Sequence, residues 1–368
     1  MGGLQAALAL SSSNHKITLP ESAFAFEDVG AGIRVPPNSI RPSESWGVDF
    51  SKKRNVTIRM GARVSSYDFE TPSVTLASGE VIALPFAMLF FNGSPIAPQD
   101  TGDVAYRILV PTALLLADPE MRHLVSEPWA MHWMGPEGHA VGYPLRKGEL
   151  YNIIVDVTHG SDKGEPVGED AWKSARNNGE LVARFQVWCP QVRKLCAMTG
   201  EYLQWRLADF SELDSWVHTS GKVCLLGDAC HPMMPYMARG AAQATEDAAA
   251  LKAALDVERS ITAALARYRR ARLPRAAYVA RNTTVLQEWL HLYGGPSRRE
   301  RDRLMQRDDA NNPIFWGCRE RKDWLFGHNA LNLNGNERIP ALPPLPTKEA
   351  SVYRKGGHID RRNAAGRI

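Results

Sequence analysis

Residues 225–251 read LLGDACHPMMPYMARGAAQATEDAAAL, an apolar run that stops at Gly227-Asp228 followed by an alanine-rich stretch that starts near Gly240. Residues 222–226 suit a short buried parallel strand, and the C-terminal end of such a strand is where open α/β sheets place ligands. Asp228 stands at that end as an acceptor for ligand hydroxyls. A helix beginning at Gly240 turns free N–H groups and the positive end of its dipole toward the same crevice. Gly240 and Ala241 lack bulk, so a flat ring or an anion can approach the backbone. A carboxylate for a polyol and a small-residue helix start for an electron-rich ring edge together suit a flavin. A plainer reading stays open, in which Asp228 caps a turn and the alanines pack a helix.

Other reactive side chains carry less. Cys230 beside His231 lacks the base and orienting group of an activated nucleophile. His132, His139 and His231 have no ligand spacing to nearby acids, so no metal site is expected, and His231 is read as ordering the proline-rich loop. Five cysteines (Cys189, Cys196, Cys224, Cys230, Cys318) form no paired CxxC motif, which argues against a disulfide framework and fits a reducing cytoplasm. Trp129, Trp133 and Trp205 are expected in the core or a pocket wall.

The elements that must position these residues can be read in outline. Residues 4–10 form a short amphipathic helix and residues 16–19 a strand that ends at Glu21, the second half of a nucleotide-binding βαβ unit. Only Gly2 and Gly3 stand where a G-x-G-x-x-G turn would be. Alternation over residues 56–85, with turn signals at Glu70-Thr71-Pro72 and Ser78-Gly79, predicts antiparallel strands. Further strands are expected at 104–110, 139–144, 150–157 and 181–189. From residue 241 onward the chain reads as helix, with Pro274 expected to kink or break the second one. Residues 340–368 read as a flexible tail.

At 368 residues the chain can bury two lobes, and 44% hydrophobic with 23% charged residues is ordinary for a globular protein. No apolar run is long enough to span a bilayer, so no membrane role is expected. A net charge of +4 is spread over helices whose arginine runs, 267–272 and 298–303, read as solvated faces; the second also contains acids, and nucleic acid is not an expected partner. The opening MGGLQAALAL lacks the basic residue of a signal peptide and the Ser or Thr that myristoylation needs at position six.

Taken with His231-Pro232, Pro235, Arg239-Gly240-Ala241 and Glu246-Asp247-Ala248, the GDACHPMMPYMARGAAQATEDA stretch resembles the second flavin-binding motif of class A flavoprotein monooxygenases. That is the group of salicylate hydroxylase and para-hydroxybenzoate hydroxylase, and the likeness is strongest to its fungal members. GGLQAALAL, the acid in ITLPES, VGAGIRVPPNSIR, GDVAYRILVP, VGYPLRKGELYNIIV and DWLFGHNA extend the resemblance over most of the chain. It implies an α/β fold: a Rossmann-like FAD-binding lobe, incomplete here, formed by residues 1–98 and 222–262. A mostly antiparallel β-sheet substrate lobe is inserted at 99–221, and a C-terminal helical segment covers 263–339.

It implies FAD as cofactor, NAD(P)H as co-substrate and a small aromatic substrate, phenolic or polyketide-like, hydroxylated in secondary-metabolite biosynthesis. Carried onto this chain, Glu21 would accept from the adenosine ribose, Gly32 would lie against the cofactor, Asp228 would bind the ribityl chain, and Gly240 and Ala241 would offer N–H groups to the pyrimidine edge. Arg107 and Tyr143 match an arginine and a tyrosine of the substrate pocket. Both also have plainer readings, as a strand-edge charge and a half-buried core residue.

The chain departs from the family in three places. The opening strand and the first glycines of the dinucleotide turn are missing. SWGVDF runs straight into SKKRNVTIRM, skipping a segment with a cofactor-contacting arginine, and FAMLFFNGSP replaces an Asp-Gly motif. An N-terminally truncated chain with internal gaps is the expectation, and with it a second reading: a relative with weak or no flavin binding, acting as a binding or non-redox protein. The sequence leaves the oligomeric state, the substrate's identity and the choice of nicotinamide open.

Overall fold

The structure, a computed structural model, describes residues 2–13, 15–25, 36–46, 56–83, 87–89, 99–127, 129–158, 173–209, 212–334 and 337–346. In chain order the first elements are α1 (Gly2–Ser11), β1 (Ile17–Pro20), α2 (Pro37–Ser45), β2 (Val56–Arg59), β3 (Val64–Asp68), β4 (Ser73–Leu76), β5 (Val81–Ala83) and β6 (Ala87–Leu89). There follow β7 (Gln99–Pro111), α3 (Thr112–Ala117), α4 (His123–Ser126), β8 (Met131–Gly135), β9 (Gly138–Leu145), β10 (Leu150–Val157), β11 (Lys173–Asn177), α5 (Gly179–Phe185), α6 (Pro190–Ala197) and β12 (Glu201–Asp209). The chain continues with β13 (Val223–Leu225), α7 (Gly240–Val257), α8 (Ile261–Leu290), α9 (Pro296–Leu304) and α10 (Arg319–Gly327). Two compact units result. One takes Met1–Pro95, Ser211–Thr283 and Phe315–Leu342; the other takes Ile96–Phe210, Thr284–Ile314 and Pro343–Ile368. The helices expected as a separate C-terminal segment are shared between them.

In the first unit, parallel strands pair as β1 with β2 and β13 with β6, and β3, β4 and β5 form an antiparallel sheet. Pro20 occupies the last position of the β1 ladder, opposite Arg59, and Glu21 N–H then donates to Arg59 O at 2.9 Å. The proline therefore falls where a missing donor costs least. Behind the strands lies α7, buried from Ala242 to Leu251 without a break. A helix buried on every side belongs inside a domain, and its alanines let it pack closely against α1, which buries Ala6, Ala7, Ala9 and Leu10. Tyr268 of α8 donates its hydroxyl to Leu225 O at 3.0 Å, fixing that helix to β13. Pro274 does not break α8, which runs for 30 residues through it.

The second unit is built on a six-stranded sheet in the order β11-β12-β7-β10-β9-β8, every pairing antiparallel. Period-two alternation gives each strand two faces. Val104, Tyr106, Ile108 and Val110 of β7 join Tyr151, Ile153, Val155 and Val157 of β10 in one apolar core. Leu181 and Phe185 pack into the same core. Those two residues lie on α5, so the strand expected over 181–189 is a helix: the apolar residues recur four apart, and Pro190 begins α6. Gly142 passes under the Tyr151 ring, where a Cβ would stand 2.6 Å from the hydroxyl. Trp129, expected in the core or a pocket wall, is 67% exposed, so it is not a core residue. Residues 340–346 lack regular structure yet are held: Pro340 and Pro344 carbonyls accept from the Tyr278 hydroxyl and the Trp289 indole, each at 2.6 Å.

The opposite sheet face ends in a buried polar cluster. His139 and Asp156 are register partners, 3.4 Å apart, and His139 Nδ1 lies 2.8 Å from Nε2 of His291, just past α8. His291 Nδ1 meets the Thr158 hydroxyl at 2.7 Å, while Gln287 donates to Asp103 at 2.7 Å. Burial pushes His291 down to about 3; burial and the neighbouring His291 push His139 well down too. Burial, then the charge of Asp103, pushes the Asp156 carboxyl up to about 8. Folded Asp156 therefore keeps a proton that the unfolded chain releases from about pH 4 upward, and its contribution to stability is lost as pH rises to about 8. Asp156→Asn, which does not titrate, should gain stability on the wild type across that window. Urea denaturation of both at about pH 5, 6.5 and 8 checks it, and a difference that does not grow with pH would refute it.

Candidate functional site

Asp228 lies in a 3-10 turn, Gly227–Ala229, directly after β13. Gly227 holds φ at +59°, a left-handed conformation that a side chain would strain, and this turns the strand abruptly so that Asp228 emerges exposed while both neighbours are buried. Across from it α7 begins at Gly240. A Cβ on Gly240 would come within 3.7 Å of Asp228 Oδ1. The first turn of α7 has no side-chain cap and no acid, and Gly240 and Ala241 are half-buried. An accessible carboxylate thus faces the donor end of an 18-residue helix, and the gap between them is kept clear by the glycine.

The turn is held from below. Asp247 of α7 accepts the Gly227 N–H at 3.0 Å and lies 2.6 Å from His231 Nε2 with the same oxygen, Oδ2. Its Oδ1 accepts from Arg272 Nε at 2.8 Å. Glu246 accepts from Arg272 at 2.5 Å, from Arg275 at 2.8 and 3.1 Å, and from Asn38 of α2 at 2.5 Å. Arg272 also donates to Gln243 Oε1 at 2.8 Å. Every one of these side chains is buried. Burial by itself would raise both carboxyls; Arg275 and Arg272 around Glu246, and His231 and Arg272 around Asp247, outweigh it and hold both below the carboxylate range. The same acids hold the Arg272 guanidinium charged against its burial.

Two sequence readings need correction here. His139 and His231 each do meet a carboxylate, Asp156 and Asp247, brought from 17 and 16 positions further along the chain. Cys230, His231 and Asp247 also offer atoms within 4.8 Å of one another, the one such group among the described residues that could hold a metal. Arg272 already occupies the cation position beside Asp247, and burial pushes the Cys230 thiol well up, so the trio is a poor home for a metal ion. Arg272 and Arg275 escaped sequence reading, although their i, i+3 spacing on a helix was a usable sign that they face a common partner.

Glu21 follows β1, half-buried, its Oε1 accepting from Ala23 N–H at 2.9 Å and the Ser22 hydroxyl at 3.2 Å. Gly32 lies outside the described residues. Arg107 and Tyr143 belong to the second unit, on the sheet face opposite the apolar core. Arg107 is buried and donates from Nε to Asn152 Oδ1 at 3.0 Å. Asn152 lies directly opposite Tyr143 in the β9–β10 register. Burial lowers the Arg107 pKa, and the nearby Tyr143 works against that shift. Asn152 was not singled out from the sequence, because a lone asparagine within a strand gives no signal of its neighbours.

Comparison with known proteins finds flavin-dependent relatives. The FAD binding domain family matches residues 117–283. The chain is 30% identical to an FAD-dependent monooxygenase, atnJ, of Arthrinium sp, over 82% of this chain and 86% of that one. It is 28% identical to the FAD-dependent monooxygenase OpS4 of Beauveria bassiana, over 90% and 93% of the two chains. A solved salicylate hydroxylase substrate complex shares the fold, with a TM-score of 0.68 at 21% identity over 92% of this chain and 97% of that one.

The buried charges under the turn make a direct prediction. Arg272→Met strips Glu246 and Asp247 of a shared partner and should cost about 3–5 kcal/mol. Asp247→Asn keeps the shape, but with its oxygen on the Gly227 N–H its amide nitrogen meets the Arg272 Nε–H as donor against donor, so it too should destabilise. Denaturant midpoints of the two variants against the wild type measure this; an Arg272→Met protein as stable as the wild type would show the network to be ornamental.

Proposed function

The chain belongs to the FAD-dependent monooxygenases, and from that premise we propose that it hydroxylates a phenolic or polyketide-like aromatic compound, using NAD(P)H and dioxygen, in fungal secondary-metabolite biosynthesis. One observation carries the reading: the exposed Asp228 carboxylate facing the uncapped, glycine-opened start of α7. This donor and acceptor pair fits a flavin. Asp228 would hold the ribityl hydroxyls, the N–H groups of Gly240 and Ala241 the pyrimidine edge, and Glu21 the adenosine ribose. When bound, FAD supplies the transfer of electrons from the nicotinamide to dioxygen and of one oxygen atom to the ring.

The chain's own groups do the rest. The start of α7 places N–H dipoles where negative charge collects at the pyrimidine edge. Arg107, a guanidinium held in a partly apolar site, favours the ionised form of a phenolic substrate, and that form is the more electron-rich ring. Tyr143 orients the ring through its hydroxyl. No helix of the described residues is long and apolar enough to cross a membrane. All five cysteines are free and four are buried, which supports a reducing cytoplasmic home. No nucleic-acid partner is proposed.

A second reading, a family member that holds flavin weakly and acts as a binding or non-redox protein, draws on one feature. Among the described residues the parallel strands form two separate pairs rather than one sheet. Flavin uptake separates the two readings. The purified protein titrated with FAD should develop the visible flavin bands at one equivalent and lose them on addition of reduced nicotinamide. Asp228→Ala should weaken FAD binding by about tenfold or more, the worth of a charge-assisted hydrogen bond. A folded protein that takes up no FAD at saturation would overturn the monooxygenase reading.

A further inference from the structure

The sheet face that carries Arg107 and Tyr143 also holds a donor to which neither of their roles gives a use. Asn152, on β10, is completely buried. Its Oδ1 accepts from Arg107 Nε at 3.0 Å. That bond fixes the amide's orientation, because a guanidinium has only donors, so the oxygen must face it and the nitrogen must face elsewhere. Nδ2 of Asn152 has no hydrogen-bond partner among the described residues. Buried amide nitrogens are almost always paired, so Nδ2 is a donor open to a water or a ligand oxygen rather than one committed to the described residues.

The surroundings define that ligand. Asn152 is neutral, so its bond to Arg107 orients the guanidinium without cancelling the charge. In the row formed by Arg107, the strand pairings place Leu203 on one side and Ile154 and Val141 on the other, all three half-buried. Trp205 is one alternation further along β12, also half-buried. An apolar wall with a buried cation and a buried amide donor suits a flat ring that carries one oxyanion.

We propose that Asn152 Nδ2 and the Arg107 guanidinium together clamp an anionic oxygen carried by the aromatic substrate, phenolate or carboxylate, which makes Asn152 the residue that selects anionic aromatics over their ethers. The clamp rests on the reading of the chain as an aromatic monooxygenase and deepens it. Asn152 acts in two ways: it gives one hydrogen bond to the oxyanion, and through Oδ1 it sets the plane of the Arg107 guanidinium beside it. An aspartate in its place would keep the shape, neutralise Arg107 and present an oxygen to the oxyanion.

Calorimetric titration of the flavin-loaded protein with salicylate, resorcinol and 1,3-dimethoxybenzene tests the clamp. The wild type should bind salicylate or resorcinol at least about tenfold more tightly than the diether. Salicylate in preference marks a carboxylate as the oxyanion; resorcinol, with affinity that rises as its phenol ionises, marks a phenolate. Asn152→Asp should lose about tenfold or more for the oxyanion probe with its weak diether binding unchanged, and Asn152→Leu should lose a similar factor. Thermal melting of each variant confirms that it is folded. An Asn152→Asp protein within about twofold of the wild type overturns the clamp. So does a flavin-loaded wild type that binds the diether equally well or binds none of the three probes. A protein that takes up no flavin instead overturns the monooxygenase reading beneath it, and the same probes on the flavin-free protein then decide the clamp.

Discussion

Two arginines and two carboxylates buried between α7 and α8 are the constraint on which the first unit depends. Arg272, Arg275, Glu246 and Asp247 balance in charge, and each finds hydrogen bonds for most of its polar atoms. Ion pairs taken so completely from water gain little over an apolar packing, but losing one member leaves charges stranded. Their value here is geometric. An alanine helix can slide against its neighbours with little change in contact, and these bonds remove that freedom. They fix α7 to α8, and Asn38 adds α2. Through Gly227 and His231 the same carboxylate, Asp247, sets the turn that exposes Asp228.

The placement of Asp228 therefore follows largely from residues behind it. Gly227 supplies the backbone angle, Asp247 the hydrogen bond that keeps it, and Gly240 the open space beyond. This division suits a family in which the cofactor performs the electron chemistry and the protein supplies orientation and charge. A turn held to α7 in this way needs little rearrangement for its carboxylate to receive a polyol, so less ordering entropy opposes binding.

In the second unit the governing constraint is the two-residue period of the strands. One face of the six-stranded sheet is apolar and builds the core; the other carries Arg107, Asn152, Asp156 and His139. A shift of one residue in any pairing would exchange the faces and bury these polar groups in the core, which makes the register unambiguous. The end of α8 closes one edge of the polar face through His291 and Gln287. Burial pushes both histidines down and the Asp156 carboxyl up, which limits the charge that this closure buries beside Asp103.

The sequence alone determined the elements whose signals are local. The α1 helix, the strand leading to Glu21, the antiparallel strands with their turns at Pro72 and Gly79, and the GDACHP stretch with its alanine helix are set by periodicity, by turn residues and by spacing within a few positions. Even the wrong strand at 181–189 shows the limit of local signals, since a short apolar run reads either way and only packing against the core made Leu181 and Phe185 one face of a helix. Tertiary structure alone decided which distant residues meet. Arg272 reaches Asp247 across 25 positions, Arg107 reaches Asn152 across 45, and His139 reaches His291 across 152. Those meetings are fixed by helix packing and strand register, which depend on the whole core, and no single stretch of sequence contains them.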